Sequence, residues 1–195
     1  KLPFEQAEKV GPPFYYLTQV THSMAPYKVV WKAIAGAITG KFTEFATAVL
    51  PKIDKPIIPD AGLMLLPTES LEEAHYVSAI LNSSVSRLLI ATYSHELGGY
   101  THITKYVRIN KFDQKNPLHQ KLSQLSMKAH EIAKQIYDEN RDDLKDELRN
   151  VEEEIDKTVA ELYGITEDEL EEIKKCLMIL KEGEISEEEE EEEEV

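Results

Sequence analysis

The sequence predicts an α+β protein: a twisted, mostly antiparallel sheet with a helix packed against it, followed by an antiparallel helical pair and a disordered acidic tail. Three observations support this fold class. Short runs rich in aromatic and β-branched residues, broken by Gly and Pro, fill residues 14–66. Apolar residues at helical spacing recur from residue 70 onward. The end of the chain is almost entirely glutamate, which has no apolar surface to bury.

The predicted strands are short. The clearest is 27–32 (YKVVWK), where aromatic and valine side chains alternate with Lys28 and Lys32. Period-two alternation places one face in the core and turns the other toward water or a ligand. Further strands are predicted at 14–17, 42–50, 62–66 and 101–109.

The last of these strands, 101–109, has two chemically different faces. Its apolar face carries Ile103, Val107 and Ile109. The opposite face is polar, aromatic and cationic, and consists of His102, Thr104, Tyr106 and Arg108. This is the chemistry of a surface that meets a nucleic acid or another polar partner.

The first predicted helix begins at Ser70 and runs to about Thr92. Ser70 and Glu73 have the spacing of a capping box, in which each residue satisfies a backbone N–H of the other. Apolar residues then recur on one side at helical spacing. Within this helix, the phrase 81–84 (LNSS) is interpreted as fold-defining packing.

Two longer helices are predicted after Pro117. The first carries a heptad-like apolar seam from Leu118 to Ile136, which lets one helix pack along another. The second has an apolar stripe from Leu144 to Leu162, and the two helices should pair antiparallel around residue 140. Gly164 ends the second helix, and a capping box of Thr166 and Glu169 begins a last short one.

The net charge of −15 is unevenly distributed. Residues 1–130 contain 14 Lys and Arg against 10 Asp and Glu, a net of +4, whereas residues 131–195 contain 8 against 27, a net of −19. The glutamate run 187–194 repels itself and is predicted to be disordered. The negative net charge of the whole chain therefore does not exclude nucleic-acid binding by the first 130 residues.

Composition and motifs argue against several function classes. A single cysteine, Cys176, excludes an internal disulfide and favours a reducing, cytoplasmic setting. No apolar run approaches the roughly 20 residues that span a bilayer. The chain begins at Lys1 rather than at Met, and we expect it to be a piece of a longer protein.

We predict neither a catalytic nor a metal site on this chain. It has no glycine-rich phosphate loop, no Cys-x-x-Cys pair and no Gly-x-Ser-x-Gly elbow. His95 and His102 are seven residues apart, whereas a zinc-protease helix places its two histidines four apart.

The expected contacts are with double-stranded DNA. Taken singly, each Lys or Arg of residues 1–130 is more often an ordinary surface charge than a phosphate contact. As a set, and together with His102 and Tyr106, these cations supply what a DNA-facing sheet needs. The predicted DNA-binding residues are Lys28, Lys32, Lys41, Arg87, His102, Lys105, Tyr106, Arg108 and Lys111.

Four phrases in order carry a resemblance to a known family. They are 27–32 (YKVVWK), 73–84 (EAHYVSAILNSS), 107–112 (VRINKF) with the helix that follows, and 155–170 (IDKTVAELYGITEDEL). Together they resemble the C-terminal region of adenine-specific DNA methyltransferases of stand-alone and Type IIG restriction-modification systems. The resemblance covers most of the chain.

The resemblance implies a division of labour. In such enzymes an upstream Rossmann-like domain binds S-adenosylmethionine and holds the flipped adenine with an Asn-Pro-Pro-Tyr motif, while the C-terminal domain recognises the target sequence. This chain lacks that motif and a glycine-rich cofactor loop, so no catalytic role and no cofactor is carried over to it. The expected partners are DNA and the upstream methyltransferase domain.

Domain boundaries follow from these patterns. Residues 1–115 are predicted to form a DNA target-recognition domain, 116–182 a helical domain and 183–195 the disordered tail. The alternative is a protein-interaction module, in which the heptad seam forms a homodimer through helices 117–162 and the sheet is a scaffold.

Overall fold

The computed structural model describes most of the chain from residue 22 onward. The described residues are 22, 24–33, 45–54, 57–60, 62–97 and 103–193, and side chains are described for all of them except 94–97, 104 and 181–193. The predicted strand at 14–17 lies outside the described residues, as do Lys41 and His102 of the predicted DNA-binding set.

Three antiparallel strands form the described sheet. They are β1 (Tyr27–Lys32), β2 (Thr47–Leu50) and β3 (Leu63–Thr68), in the order β2-β1-β3. The last strand extends past Pro67, where the sequence predicted its end. Proline lacks a backbone N–H, and β3 tolerates it because an edge strand does not need every donor.

The register of the sheet identifies its core face. Val29 pairs with Val49 on one side and with Leu66 on the other, and Trp31 pairs with Met64. Paired residues point to the same face of a sheet. All five belong to or pack against the hydrophobic core, which confirms the alternation predicted for this strand.

The second face of β1 differs from the expectation of a polar surface. Val30 and Lys28 lie on it, yet only 6% and 2% of their surfaces are exposed. Their cross-strand partners include Leu65, which is also apolar. Both faces of this central strand are therefore covered, and period-two alternation alone could not reveal the cover over the second face.

The helix predicted from Ser70 is divided in two, α1 (Leu71–Asn82) and α2 (Ser84–Leu97). Its start is confirmed, because the Ser70 side chain accepts a hydrogen bond from the Glu73 N–H at 3.1 Å. The predicted continuity is wrong. Ser83 adopts an extended conformation, and its hydroxyl donates to the Ile80 carbonyl at 2.7 Å. Serine competes with helical backbone bonds in this way.

The predicted strand 101–109 is also wrong in its described part, 103–109. Residues Ile103–Tyr106 form one turn of helix, α3, and 107–113 have no regular structure. Ile103 and Val107 are both buried, and the Val107 N–H donates to the Ile103 carbonyl at 3.0 Å. Residues four apart share a face in a strand and in a helix alike, so this spacing fitted both.

The helical pair is confirmed as α4 (Pro117–Glu139) and α5 (Lys145–Tyr163), joined by a 3₁₀ turn at Asp142–Leu144. Ion pairs tie Lys121 to Glu154 and Lys128 to Glu147. As the residue number of the lysine rises from 121 to 128 along α4, that of its glutamate partner on α5 falls from 154 to 147, so the two helices run antiparallel. The pair turns at residue 140, a left-handed asparagine with φ 57°.

The last helix, α6 (Glu167–Glu193), follows the left-handed Gly164, with φ 71°. The predicted capping box at its start is confirmed, since Thr166 and Glu169 exchange hydrogen bonds. The helical backbone continues through most of the tail for which the sequence predicted disorder. Glutamate is a good helix former and the tail directly continues a helix, although the side chains from 181 onward are not described.

One continuous core holds the elements together. Helix α1 packs against the sheet on one side and against α4 on the other. The core cluster contains Val29 from the sheet, Ile80 from α1, Leu122 from α4 and Val159 from α5. The predicted parts on either side of residue 116 therefore share this core.

Candidate nucleic-acid interface

Lys28 is not available to a ligand. Its side chain is buried, and its Nζ donates a hydrogen bond of 2.6 Å to the carbonyl oxygen of Ala25. Burial lowers the pKa of this lysine. Because a phosphate cannot reach a buried ammonium group, Lys28 is removed from the predicted DNA-binding set, whereas Lys32 at the end of β1 is exposed.

Arg87, another predicted contact, lies in α2 beside acidic side chains of α5. Burial lowers the pKa of Arg87, and the carboxylates of Glu152 and Asp156 oppose that shift. Its charge is therefore compensated within the protein. Arg87 belongs to the contact between α2 and α5 rather than to an open cationic surface.

These groups line a pocket of about 260 Å³ among the helices. Its charged wall combines Arg87, Arg149 and Lys174 with Glu152, Glu153 and Asp156. Arg149 is paired with Asp146 at 3.2 Å, and Lys174 with Glu171 at 3.4 Å. Because three cations and three carboxylates line this pocket, it has no excess charge that would select an anion or a cation.

The structure keeps another group of cations exposed. Residues 105–115, here the basic segment, join α3 to α4. Within the part of the chain that the structure describes, none of its four cations forms an ion pair. The four are Lys105, Arg108, Lys111 and Lys115. Uncompensated, solvent-facing cations are the groups that contact phosphates.

The backbone of the basic segment is fixed to the core although it is mostly irregular. The Tyr163 hydroxyl donates to the Arg108 carbonyl at 2.7 Å, and the Tyr76 hydroxyl donates to the Asn110 carbonyl at 3.1 Å. Tyr76 is fully buried, and burial raises its pKa, so it remains a neutral donor. The exposed cations are thus carried on a positioned backbone.

A buried histidine fixes the far end of the segment. The Asp113 N–H donates to His119 Nδ1 at 3.0 Å, so neutral His119 carries its proton on Nε2. Nε2 lies 3.3 Å from the Tyr76 hydroxyl and can donate to it. Burial lowers the pKa of His119, although Asp113 opposes this, and the lowered pKa favours the neutral form that these contacts need.

A pair of stacked tyrosines adjoins the basic segment. The rings of Tyr93 in α2 and Tyr106 in α3 have centroids 4.2 Å apart and planes within 8° of parallel. Tyr93 is 39% exposed. Tyr106 was predicted as a contact, whereas Tyr93 was not, because it lies just past residue 92, where the first predicted helix was expected to end. Tyr93 follows Leu89 by four residues and so continues the apolar side of the predicted helix, which gave no signal of a binding role.

Lys115 was also missed by the sequence prediction. Lys105, Arg108 and Lys111 recur every three residues, and Lys115 follows Lys111 after four. The predicted DNA-binding set ended at Lys111, two residues past the end of the predicted strand, and did not include Lys115. The described structure brings these four cations onto one segment, while Lys28 is buried and Arg87 is half-buried beside acidic side chains of α5.

A polar cluster lies between α1 and α4. His75 Nδ1 is 3.1 Å from the Ser126 hydroxyl, and His130 donates from Nδ1 to the Ser126 carbonyl at 2.8 Å. The two imidazole rings meet edge to face at 4.9 Å. Burial lowers the pKa of His75 to about 4, with His130 adding to the shift and Glu72 opposing it. The cluster is therefore neutral and structural at neutral pH.

Among the described residues, no three His, Cys, Asp or Glu side chains gather where they could hold a metal ion. None of the described helices is long and apolar enough to cross a membrane.

Comparison with known proteins identifies no relative. The sequence matches no protein family and no curated protein, and no solved structure matches the fold.

Proposed function

We propose that this chain binds duplex DNA through the basic segment and acts as the sequence-reading part of an adenine-specific DNA methyltransferase. One observation carries the DNA-binding proposal: four exposed, unpaired cations lie within eleven residues on an anchored backbone. The sequence resemblance supports the narrower assignment to a methyltransferase.

The cations would bind phosphates, and the anchored backbone would set their positions along the duplex. Hydrogen bonds to phosphates orient a protein on DNA, whereas contacts to base edges read the sequence. Arg108 suits both roles, because a guanidinium can bind a phosphate or the O6 and N7 atoms of guanine through two hydrogen bonds. Lys105 and Tyr106 lie close enough in sequence to contact the same stretch of DNA.

The acidic helices would lie away from the DNA. Residues 131–195 carry a net charge of −19, which repels phosphate. This charge orients the chain, because it keeps the acidic helices away from phosphates, whereas the basic segment presents four exposed cations that form no ion pair among the described residues. The opposite end would contact the upstream methyltransferase domain, to which the proposal assigns the S-adenosylmethionine site and the adenine pocket.

The proposal is tested by binding the full chain to a random-sequence duplex at two salt concentrations. Four phosphate contacts predict roughly a 100-fold loss of affinity between about 50 and 200 mM salt. Fluorescence anisotropy of a labelled duplex measures this directly. Binding that does not respond to salt, or no binding at either concentration, would contradict DNA binding by this chain.

Self-association is the second candidate function, and the seam that first suggested it is occupied. Leu122, Ile132 and Ile136 of α4 are buried against the rest of the chain. A different feature now favours a homodimer: three consecutive apolar residues of α6 are exposed, Met178 at 60%, Ile179 at 66% and Leu180 at 41%. Comparing the sedimentation of the parent chain with that of Ile179→Lys tests this dimer, since a dimer through α6 would become a monomer in the variant.

A further inference from the structure

The tyrosine pair has one ring that is both stacked and exposed. Tyr106 covers one face of Tyr93, since the rings lie 4.2 Å apart and nearly parallel. Tyr93 nevertheless keeps 39% of its surface exposed. Stacking on one face leaves the opposite face of the ring, its edges and its hydroxyl as the parts of this side chain that a ligand can reach. The two rings come from different elements, α2 and α3, so the exposed ring is supported by its partner.

Cations lie directly beside this ring pair in the sequence. Lys105 precedes Tyr106 and Arg108 follows two residues later, and both are exposed. An aromatic face next to unpaired cations is the combination by which proteins hold single-stranded nucleic acid, the ring stacking on a base and the cations binding the flanking phosphates.

We propose that Tyr93, backed by Tyr106, stacks on an unpaired nucleobase while Lys105 and Arg108 bind the neighbouring phosphates. This inference rests on the proposed function, because it uses the same cations. It names a ligand that the proposed function does not require: a base out of the helical stack. In a paired duplex the faces of the bases are occupied by neighbouring bases, so only an unpaired base can present its face to Tyr93.

A nucleobase suits this surface better than an apolar side chain does. The exposed ring extends an existing stack of two parallel rings, and a third flat ring continues that geometry. The adjoining cations would have no role against an aliphatic side chain, whereas a nucleotide carries its own negative charge. Any of the four bases would serve, because stacking uses the π face rather than the hydrogen-bonding edge.

The test compares two duplexes of about 20 base pairs bound by the full chain at about 50 and 200 mM salt, one fully paired and one with a single bulged 2-aminopurine. Stacking on one base predicts about a tenfold preference for the bulged duplex and a change in 2-aminopurine fluorescence on binding. Tyr93→Leu should abolish the preference but leave the affinity for the paired duplex within about twofold. Tyr93→Phe, which keeps the ring, should retain the preference.

Tyr137→Ala is the matched control, because that tyrosine is 80% exposed and lies on α4. It should leave both affinities unchanged. Salt-sensitive but equal binding to the two duplexes would overturn the stacking inference and leave the proposed function standing. Retention of the preference in Tyr93→Leu would also overturn it. If the affinities for both duplexes do not change with salt, the proposed function is overturned, and this inference with it.

Discussion

Asp156 accepts two hydrogen bonds from Ser84, one from the backbone N–H at 2.7 Å and one from the hydroxyl at 2.6 Å. Ser84 is the first residue of α2, where backbone N–H groups lack partners within the helix. A carboxylate at this end also meets the positive end of the helix dipole. Asp156 therefore fastens α2, which carries Tyr93, to α5.

Asp156→Ala should destabilise the protein by about 2–3 kcal/mol, because it leaves an N–H group and a hydroxyl near the interior without their charged acceptor. Asp156→Asn, which keeps one acceptor oxygen, should lose less. Urea unfolding followed by circular dichroism measures both. Asp138→Ala removes an exposed carboxylate and should change stability by less than about 0.5 kcal/mol. Equal losses in the Asp156 and Asp138 variants would refute the role of Asp156.

Asn82 joins the end of α1 to β2. Its side-chain oxygen accepts the Thr47 N–H at 2.8 Å, and its nitrogen donates to the Thr47 carbonyl at 3.3 Å. Asn82→Ala should cost about 2 kcal/mol, because the buried Thr47 loses partners for its backbone. Thermal unfolding can be compared with that of Asn150→Ala on the exposed side of α5. A loss no larger than the control's would show that Asn82 does not stabilise the sheet.

Leu122 tests whether the seam of α4 is an intramolecular core. It is fully buried, so Leu122→Ala should cost about 2–5 kcal/mol through lost burial and a cavity. If the seam is intramolecular, Leu122→Ala should not change how the unfolding midpoint depends on protein concentration. A midpoint that rises with concentration in the parent and not in the variant would instead indicate a dimer through this seam.

The stability of the fold should fall in acid because of His75. Its pKa is about 4 in the folded protein against an ordinary 6.5, since burial disfavours the charged ring. Below about pH 6.5 the unfolded chain binds a proton that the folded chain excludes. His75 therefore costs the fold no stability above about pH 6.5. As the pH falls from 6.5 toward 4, protonation of His75 in the unfolded chain lowers the free energy of unfolding by about 3 kcal/mol.

His75→Gln should flatten the loss of stability between pH 6.5 and 4, whereas His22→Gln, at an exposed position, should not. Urea midpoints measured across this range give the slope for each protein. Parallel curves for the parent chain and the His75 variant would contradict the assignment. Carboxylates also titrate at the acid end, so the comparison rests on the difference between curves.

Features with a local cause could be predicted from the sequence. The helix starts at Ser70 and Thr166 and the helix end at Gly164 were correct, because caps are set by hydrogen bonds within a few residues. The antiparallel helical pair followed from its apolar seams in the same way. The LNSS phrase was interpreted as fold-defining, and Asn82 and Ser84 make the contacts described above.

Features that depend on distant residues could not be predicted. The break at Ser83 is accompanied by hydrogen bonds to Asp156, 72 residues from Ser84, and no local signal outweighed the continuous apolar stripe. Burial of Lys28 likewise depends on what covers the second face of β1. Residues 105–109 of the basic segment were mistaken for part of a strand, yet Lys105, Arg108 and Lys111 were identified, since the charge of a side chain follows from its residue type alone.

DNA binding by the basic segment is tested most sharply by the salt dependence of Lys105→Gln/Arg108→Gln. A matched control is Lys134→Gln/Lys157→Gln, which removes the same charge from exposed positions on α4 and α5. The first variant should bind a random duplex more weakly, with a slope of log affinity against log salt shallower by about 2. The control should keep the parent's slope. Identical affinity and slope in both variants would show that the basic segment does not bind DNA.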